Sequence, residues 1–404
     1  ANIVSSILSS YQVGLSEKEE LVKKAKRKRR FTVCVPKEID DNEKRVTVTP
    51  EGVEALVSDG YKVIIEAGAG VSAGFSDMEY SESGAVIVSS PEEAHKGDII
   101  LKLTHPQVTE VEMIPEGKIV ISNLHKRKPT IEALRAFMKR KITGIAVEGI
   151  TDRSGGHPMS NAMFPIEGKT VMLMAAELLS NDRGGQGILL GDVAGITPVE
   201  VVIIGAGLVS EHAAQVASIL GATVKIFSSS LDDLFLMKQN IGQALFTNVL
   251  RKPALKKALA TADVVINTIN FEEDDLSFSF TDELMGVMKK RAVVLDMSAD
   301  GEAYFEDIYY QEHNRELFEK FGILYHCMLN VSSRVAHTSS MVLNNIALDV
   351  VDTLTHSSNF IQVLRENKGV RDGVYVFNGI LTNKHLGQIY NMPYQSIDLL
   401  LAAF

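Results

Sequence analysis

This 404-residue sequence has few cysteines, no positive net charge and no long apolar runs. Only Cys34 and Cys327 occur. Their spacing fits neither a disulfide framework nor a thiolate metal site, so we expect two packing residues in a reducing compartment and no metal. No apolar run reaches the ~18 residues that cross a bilayer, and no leader-like pattern is evident. We therefore expect a cytoplasmic protein with no membrane partner.

The charge balance excludes another class of partner. A net charge of −10 argues against a general nucleic-acid binder, which needs a basic surface to neutralise phosphates. One basic stretch, "LVKKAKRKRR", precedes residue 31. We interpret it as a solvated helix face, with a targeting or acidic-partner patch as the alternative. The length and the 45% hydrophobic content fit a globular protein of two domains.

Short apolar runs alternate with helix-length segments from residue 31 onward. The first series is "FTVCVPKE", "YKVIIEAGAG", "AVIVSS", "DIILKLTHP", "KIVISNLH" and "ITGIAVEGI". A second series follows: "GILLGDV", "VVIIGAG", "ADVVINTI", "RAVVLDMSAD" and "GILYHCMLN". Alternation of this kind predicts α/β domains with largely parallel sheets.

Two long helical segments separate and follow these series. Residues 159–183 predict an apolar helix that links two domains, and residues 339–367 predict another helix. A strand-like run and a helix in the tail should return to the first domain. We therefore expect a Rossmann-type doubly wound parallel sheet, residues 159–337, inserted into a second α/β (flavodoxin/Rossmann-like) domain formed by residues 1–158 and 338–404.

The stretch "VVIIGAGLVSEHAAQVASILGATVKIFSSS" has the pattern of a dinucleotide-binding unit. Gly205 and Gly207 occupy the first two positions of G-x-G-x-x-G/A, and Ser210 is small enough for the third. The first amides of the helix would hold a diphosphate. The candidate contacts are Gly205, Ala206, Gly207, Leu208 and Val209.

The residue at the end of the next strand is unusual for such a site. An acidic residue ordinarily accepts the ribose hydroxyls about 20 residues past the turn, but Ser228 stands there. Serine supplies a hydrogen bond without charge, and no arginine follows to attract a 2′-phosphate. These residues leave the choice between NAD and NADP open; the cofactor we expect is NAD, with NADP as the alternative.

Four further fragments, "VPKEIDDNEKRVTVTPEGV", "IILKLTHP", "VISNLHKRKPT" and "VVLDMSADG", occur in order with the glycine turn. Together they resemble the alanine dehydrogenase and transhydrogenase NAD-subunit family, and most closely alanine dehydrogenase. The resemblance runs from about residue 31 to the end. It implies the two-domain fold described above, an NAD-dependent oxidoreductase and assembly as a homo-oligomer, a hexamer in relatives.

The resemblance also implies roles for individual residues. Arg45 matches the arginine that binds the substrate carboxylate, a task suited to a planar guanidinium. Lys102 matches the lysine that polarises the keto oxygen. His125 matches the general acid–base, and Asp300 matches the acid that works with it. His105 competes for the proton-transfer role, although its position matches no family histidine.

Several positions depart from the family pattern on the cofactor side. Besides Ser228, a cofactor-contacting serine aligns with Phe164, and an aromatic residue before the histidine becomes Asn123. The Asn-Met-Pro-Gly loop becomes "NVSS", which retains Asn330 as a cofactor-binding candidate. Gly301 is kept, but the glycine that usually follows it is Glu302.

We expect reversible oxidative deamination of L-alanine to pyruvate and ammonia, with a small amino acid or 2-oxo acid as the partner molecule. Two alternatives stay open from the residues. One is the soluble NAD-binding subunit of a transhydrogenase; the arginine-, serine- and glutamine-rich entry stretch of that subunit is missing here, which counts against it. The other is a non-catalytic relative, which the cofactor-side departures suggest.

Overall fold

The computed structural model describes residues 31–124, 129–242, 245–269, 282–297, 317–328, 330–357 and 359–403. Its strands, in chain order, are β1 Thr32–Val35, β2 Lys62–Glu66, β3 Val86–Val88, β4 Ile99–Thr104, β5 Ile119–Asn123, β6 Thr143–Ala146, β7 Glu200–Ile204, β8 Thr223–Ser228, β9 Phe246–Val249, β10 Val264–Asn267, β11 Val293–Asp296, β12 Leu317–Lys320, β13 Ile323–Cys327, β14 Val374–Phe377 and β15 Ile380–Leu381.

The α-helices alternate with these strands over most of the chain. In order they are α1 Pro50–Ser58, α2 Asp77–Glu82, α3 Pro91–Ala94, α4 Val108–Met113, α5 Ile131–Lys139, α6 Pro158–Leu178, α7 Leu208–Ile219, α8 Leu231–Ile241, α9 Lys252–Leu259, α10 Asp282–Met285, α11 Ala336–Thr355, α12 Phe360–Glu366, α13 Lys368–Asp372, α14 Lys384–Ile389 and α15 Ile397–Ala403.

The strands form two separate sheets. The first has the order β15-β14-β6-β5-β4-β1-β2-β3, and the second β12-β13-β11-β10-β7-β8-β9. Strands β1 to β6 run parallel to their neighbours, whereas β14 pairs with β6 antiparallel and so brings the C-terminal part of the chain back to the first sheet. The second sheet is parallel except for β12. The expected two-domain α/β architecture is confirmed.

The long helix α6 passes from one hydrophobic core to the other. Met159 and Met163 near its start pack in the first core, and Val171 and Met172 further along pack in the second. Between them, Gly168 lets α6 approach α7: a Cβ at this glycine would lie 2.4 Å from the Val209 carbonyl oxygen. The predicted linking helix is therefore present and ends at residue 178.

Two local expectations need correction, and two strands were missed. "GILLGDV" forms no strand, because Gly187 and Gly191 have φ values of +75° and +133° that turn the chain. The helix expected over 339–367 is interrupted between α11 and α12, where Asn359 caps the second helix. Strands β9 and β12 were not expected; their alternating, half-exposed patterns contain too few apolar residues to stand out.

Both cysteines are buried and free, as expected of packing residues. Burial raises the pKa of the Cys34 thiol to about 12, so this thiol is unreactive at neutral pH. Among the described residues, no helix combines the length and apolar character needed to cross a membrane.

Candidate active site

The two glycines of the turn after β7 differ in their surroundings. Gly205 has a φ of +107°, and a Cβ there would lie 2.3 Å from Thr268 Oγ1. Gly207 is the N-cap of α7, and a Cβ there would meet nothing within 4 Å among the residues that the structure describes. The first glycine is thus required by the fold, whereas the second leaves open space before the helix, as an approaching diphosphate needs.

The third position of the fingerprint ties α7 to the sheet. The buried Ser210 hydroxyl lies 2.7 Å from Thr268 Oγ1, and Thr268 donates to the Ile204 carbonyl oxygen at 3.1 Å. This bridge holds the start of α7 against the ends of β7 and β10. The first amides of α7, including those of Leu208 and Val209, have no partner within the helix and can bind a diphosphate.

Ser228 ends β8 where an adenosine ribose would lie in this fold class. Its hydroxyl accepts from the Ser230 amide at 3.2 Å, and Ser230 caps α8 through the Asp233 amide at 3.1 Å. Asp232 and Asp233 make the first turn of α8 acidic, and residues 228–237 contain no lysine or arginine. The acidic start of α8 disfavours a 2′-phosphate, whereas Arg251 follows the neighbouring strand β9, whose Leu250 amide donates to the Ser228 carbonyl oxygen at 2.9 Å.

Arg45 lies in a buried stretch that precedes α1. Its Nε and Nη2 donate to the two carboxylate oxygens of Glu43 at 2.7 and 2.6 Å. Nη1 donates to Ser332 Oγ at 2.8 Å and lies 3.8 Å from Met163 Sδ. The guanidinium therefore contacts side chains from α6 and from the turn that precedes α11.

Asn330 brings the second sheet to this arginine. It follows β13 in a left-handed conformation with a φ of +46°, and its Nδ2 donates to Glu43 Oε2 at 2.9 Å. Two residues later, Ser332 donates to Glu167 of α6 at 2.9 Å. The loop that follows the second sheet thus contacts the Glu43–Arg45 ion pair of the first domain.

Lys102 is held inside the first domain. Its Nζ lies 2.8 Å from Glu110 Oε1 and 3.2 Å from Glu38 Oε2. Glu38 also accepts from the Leu103 amide at 2.6 Å, at the irregular end of β4. The Glu38 carboxylate is also near enough to Arg45 to raise the pKa of Arg45 as well as that of Lys102.

The charge state of both cations is fixed by their neighbours. Burial acts to lower the pKa of Arg45, but Glu43, followed by Glu167 and Glu38, raises it above its ordinary value. Burial likewise opposes charge on Lys102, and Glu38 and Glu110 raise its pKa. Both side chains are cationic at neutral pH and are already paired with carboxylates.

The two proton-transfer candidates, His125 and Asp300, lie outside the described residues. The described residues that precede each of them are fixed by hydrogen bonds. The Leu124 amide donates to Glu148 Oε1 at 2.6 Å, which fixes the exit from β5. At the end of β11, the buried Asp296 accepts from Asn267 Nδ2 at 3.0 Å and from the Tyr325 hydroxyl.

His105 is a core residue. Its ring lies 5.1 Å from that of Phe137 and 5.8 Å from that of Tyr375, between the sheet and the outer helices. Burial lowers the pKa of His105 to about 4, and its Nδ1 lies 2.8 Å from the Pro106 carbonyl oxygen. This histidine is therefore neutral near pH 7 and unsuited to proton transfer, for which it was the alternative to His125. Within the described residues, no three His, Cys, Asp or Glu side chains are arranged to hold a metal ion.

Comparison with known protein families agrees with this arrangement. The model "Alanine dehydrogenase/PNT, N-terminal domain" matches residues 34–163, and the model for the C-terminal domain matches residues 171–384. This chain belongs to the alanine dehydrogenase/PNT family. The resemblance inferred from the motifs is thereby confirmed.

Individual members of the alanine dehydrogenase/PNT family match over most of their length. The chain is 32% identical over 364 residues to the alanine dehydrogenase of Methanococcus maripaludis. The matched residues cover 90% of this chain and 97% of that protein. This chain is 31% identical over 373 residues to the alanine dehydrogenase of Staphylococcus saprophyticus, with 91% and 98% covered.

Solved structures agree in fold. An L-alanine dehydrogenase superposes with a TM-score of 0.81 at 27% identity, covering 89% of this chain and 99% of that one. A transhydrogenase from Sinorhizobium meliloti superposes with a TM-score of 0.72 at 21% identity, covering 88% and 99%. At that identity the second likeness concerns the fold alone.

Sequence reasoning missed several residues that shape this site in the family fold. Glu38 and Glu43 precede Arg45 within the quoted motif, and their position close to a candidate anion-binding arginine was a usable signal. Ser332 and Thr268 contact the site only because distant segments meet there. No periodicity or motif in the sequence marks such contacts.

Proposed function

We propose that this protein catalyses the reversible NAD-dependent oxidative deamination of L-alanine to pyruvate and ammonia. The observation that carries the proposal is the contact of Asn330, next to the nucleotide-type sheet, with the Glu43–Arg45 pair of the first domain. That contact supports the proposal, because it brings the Arg45 guanidinium near the edge where this fold binds dinucleotides. The family membership supports the same activity.

NAD is the proposed cofactor, and the described residues fit it. The open space at Gly207, the first amides of α7 and the Ser210–Thr268 bridge suit a diphosphate. Asp232 and Asp233 near Ser228 would repel a 2′-phosphate. When bound, NAD supplies the acceptor for the hydride that leaves the substrate Cα. We expect NAD to bind more tightly than NADP.

The protein's own residues would then bind and orient the substrate. Arg45 would take the substrate carboxylate at its Nη1 edge, where Ser332 now accepts a hydrogen bond. By resemblance, Lys102 would polarise the keto oxygen, and Asp300 would support His125. The His125 imidazole would exchange protons with the amino nitrogen and with the water that replaces it. The cleft between the domains would close to exclude bulk water.

The wider setting is part of the proposal. We propose a cytoplasmic homo-oligomer, a hexamer by resemblance, with the substrate domain formed by residues 1–158 and 338–404 and the dinucleotide domain by residues 159–337. The grouping of strands into two sheets supports that division. Sedimentation of the purified protein tests the assembly.

Turnover is the deciding experiment. Adding L-alanine to the protein with NAD should produce NADH absorbance, and adding pyruvate and ammonium with NADH should consume it. Calorimetric titration with NAD and NADP runs beside it. Tight NAD binding without turnover of alanine or other small amino acids would reject this activity. Absence of binding by either dinucleotide would instead favour the non-catalytic relative.

A further inference from the structure

The segment that carries Arg45 is not part of a sheet. Residues 42–49 lie between β1 and α1 in irregular conformation, so no sheet ladder accepts from their amides. Buried amides must nevertheless find acceptors. The part-buried amide of Lys44 and the buried amides of Val46 and Thr49 find acceptors on side chains from another part of the chain.

Three buried side chains near the start of α11 supply these acceptors. Ser333 Oγ accepts from the Lys44 amide at 2.8 Å, Ser340 Oγ from the Val46 amide at 3.0 Å, and Asn344 Oδ1 from the Thr49 amide at 3.0 Å. We call these three residues the acceptor row. Ser340 and Asn344 are four residues apart and lie on one face of the helix.

The opposing chain is shaped to receive the acceptor row. A Cβ at Gly52 would lie 1.8 Å from Asn344 Oδ1, so only a glycine gives this amide room against α1. Ser333 also donates to the Asn42 carbonyl oxygen at 2.8 Å and thus grips the segment on both sides of Glu43. The contacts therefore extend over the whole segment from residue 42 to α1.

The same turn also holds the functional side chain. Ser332 accepts from Arg45 Nη1, while its neighbour Ser333 accepts from the Lys44 amide. The backbone and the guanidinium are therefore held by adjacent residues of the turn that leaves β13. Val46, whose amide Ser340 binds, directly follows the arginine, so a shift there would redirect the guanidinium.

We propose that Ser340, with Ser333 and Asn344, is a positioning residue for Arg45: the acceptor row replaces the missing strand and sets the direction of the guanidinium toward the substrate carboxylate. The proposal rests on the proposed function in one respect, that Arg45 binds a carboxylate. Tight positioning matters because a small misplacement of a binding group weakens an oriented contact strongly.

The test compares two losses of a buried hydroxyl on the same helix. Ser340→Ala removes the acceptor for Val46, and Thr355→Val is the matched control, because Thr355 bonds Tyr61 at the far end of α11. Ser340→Thr, which keeps the hydroxyl, is the rescue. For each variant we would measure hydrogen exchange of peptides covering residues 42–49, the KM for alanine, kcat and the Kd for NAD.

In Ser340→Ala, exchange of the 42–49 peptides and the KM for alanine should each rise about tenfold, as expected for one buried hydrogen bond. The Kd for NAD should stay unchanged, and Ser340→Thr should recover the wild-type KM. Equal KM changes in Ser340→Ala and Thr355→Val would overturn the proposal, because they would indicate a general loss of stability.

A failure of the proposed function remains distinguishable. If the wild-type protein turns over no amino acid, that function falls on its own account. Exchange of residues 42–49 then decides the positioning role: faster exchange confined to Ser340→Ala supports it, and unchanged exchange refutes it.

Discussion

Asn330 Nδ2 donates to Glu43 Oε2 at 2.9 Å, and the same carboxylate oxygen accepts from Arg45 Nη2 at 2.6 Å. Asn330 directly follows the second sheet, whereas Glu43 and Arg45 belong to the first domain. The guanidinium is thereby linked through one carboxylate to the loop beside the dinucleotide site. We therefore expect movement of one domain against the other to shift the position of the Arg45 guanidinium.

Gly207→Ala should separate cofactor binding from folding. A Cβ at Gly207 meets no atom of the described residues within 4 Å, and the backbone of Gly207 is extended. The melting temperature without cofactor should therefore be unchanged. The methyl group would occupy the space of the diphosphate, so the Kd for NAD should rise at least about tenfold. Calorimetry checks this expectation, and unaltered NAD affinity would place the diphosphate elsewhere.

Gly168→Ala should act in the opposite way, through packing. The new Cβ would lie 2.4 Å from the Val209 carbonyl oxygen and 2.9 Å from the Ala213 amide nitrogen. Forcing α6 and α7 apart should cost about 1–3 kcal/mol of unfolding free energy. Urea unfolding measures this, with Ala at the neighbouring exposed Lys169 as control. A loss no larger than in the control would contradict the close approach of the helices.

Arg45→Lys should weaken substrate binding while keeping the charge. Arginine can bind Glu43 through Nε and Nη2 and still present Nη1 to the substrate, whereas the single ammonium of lysine cannot reproduce this geometry. We expect the KM for alanine to rise about 100-fold, roughly 3 kcal/mol, with the Kd for NAD unchanged. Steady-state kinetics provides the measurement, and Lys44→Ala on the exposed side of the same segment is the control. A normal KM would remove Arg45 from substrate binding.

Acid should destabilise the protein through His105. Burial lowers its folded-state pKa to about 4, below the 6.5 of an exposed histidine. Between pH 6.5 and 4 the unfolded chain binds a proton that the folded one does not, so stability is lost as pH falls, by up to about 1.4 kcal/mol per pH unit. In urea unfolding at several pH values, His105→Gln should reduce this slope, with the exposed His385→Gln as control. An identical slope would show that His105 is not buried as a neutral ring.

A second acidic transition should follow from Glu110. Burial alone would raise its pKa, but His95, with Nε2 at 3.7 Å, and Lys102 lower it from 4.5 to about 2. The stabilisation is present above pH 4.5 and is lost as pH falls toward 2. Glu110→Gln should lower stability at pH 7 and flatten the dependence below pH 4.5. Equal stability of both proteins at pH 7 would contradict a stabilising Lys102 pair.

Local patterns in the sequence predicted most of the fold. The six apolar runs before residue 150 all form strands of the first sheet. Five of these strands are largely buried, and a buried parallel strand must be almost continuously apolar, whereas β3 is a partly exposed edge strand. "GILLGDV" satisfied the same pattern but forms a turn, since two glycines with positive φ outweigh the apolar residues between them. Apolar content alone cannot separate these cases.

The candidate site was likewise predictable from the sequence only in part. The sequence by itself determined the glycine turn, the arginine motif and the family, because each depends on residue types at short and fixed spacing. Only the tertiary structure decided that Glu43 pairs with Arg45, that Lys102 is enclosed by two carboxylates, and that Ser340 supports the arginine segment from almost 300 residues away. Such contacts follow from how the two sheets and the helices between them pack, and no local spacing encodes them.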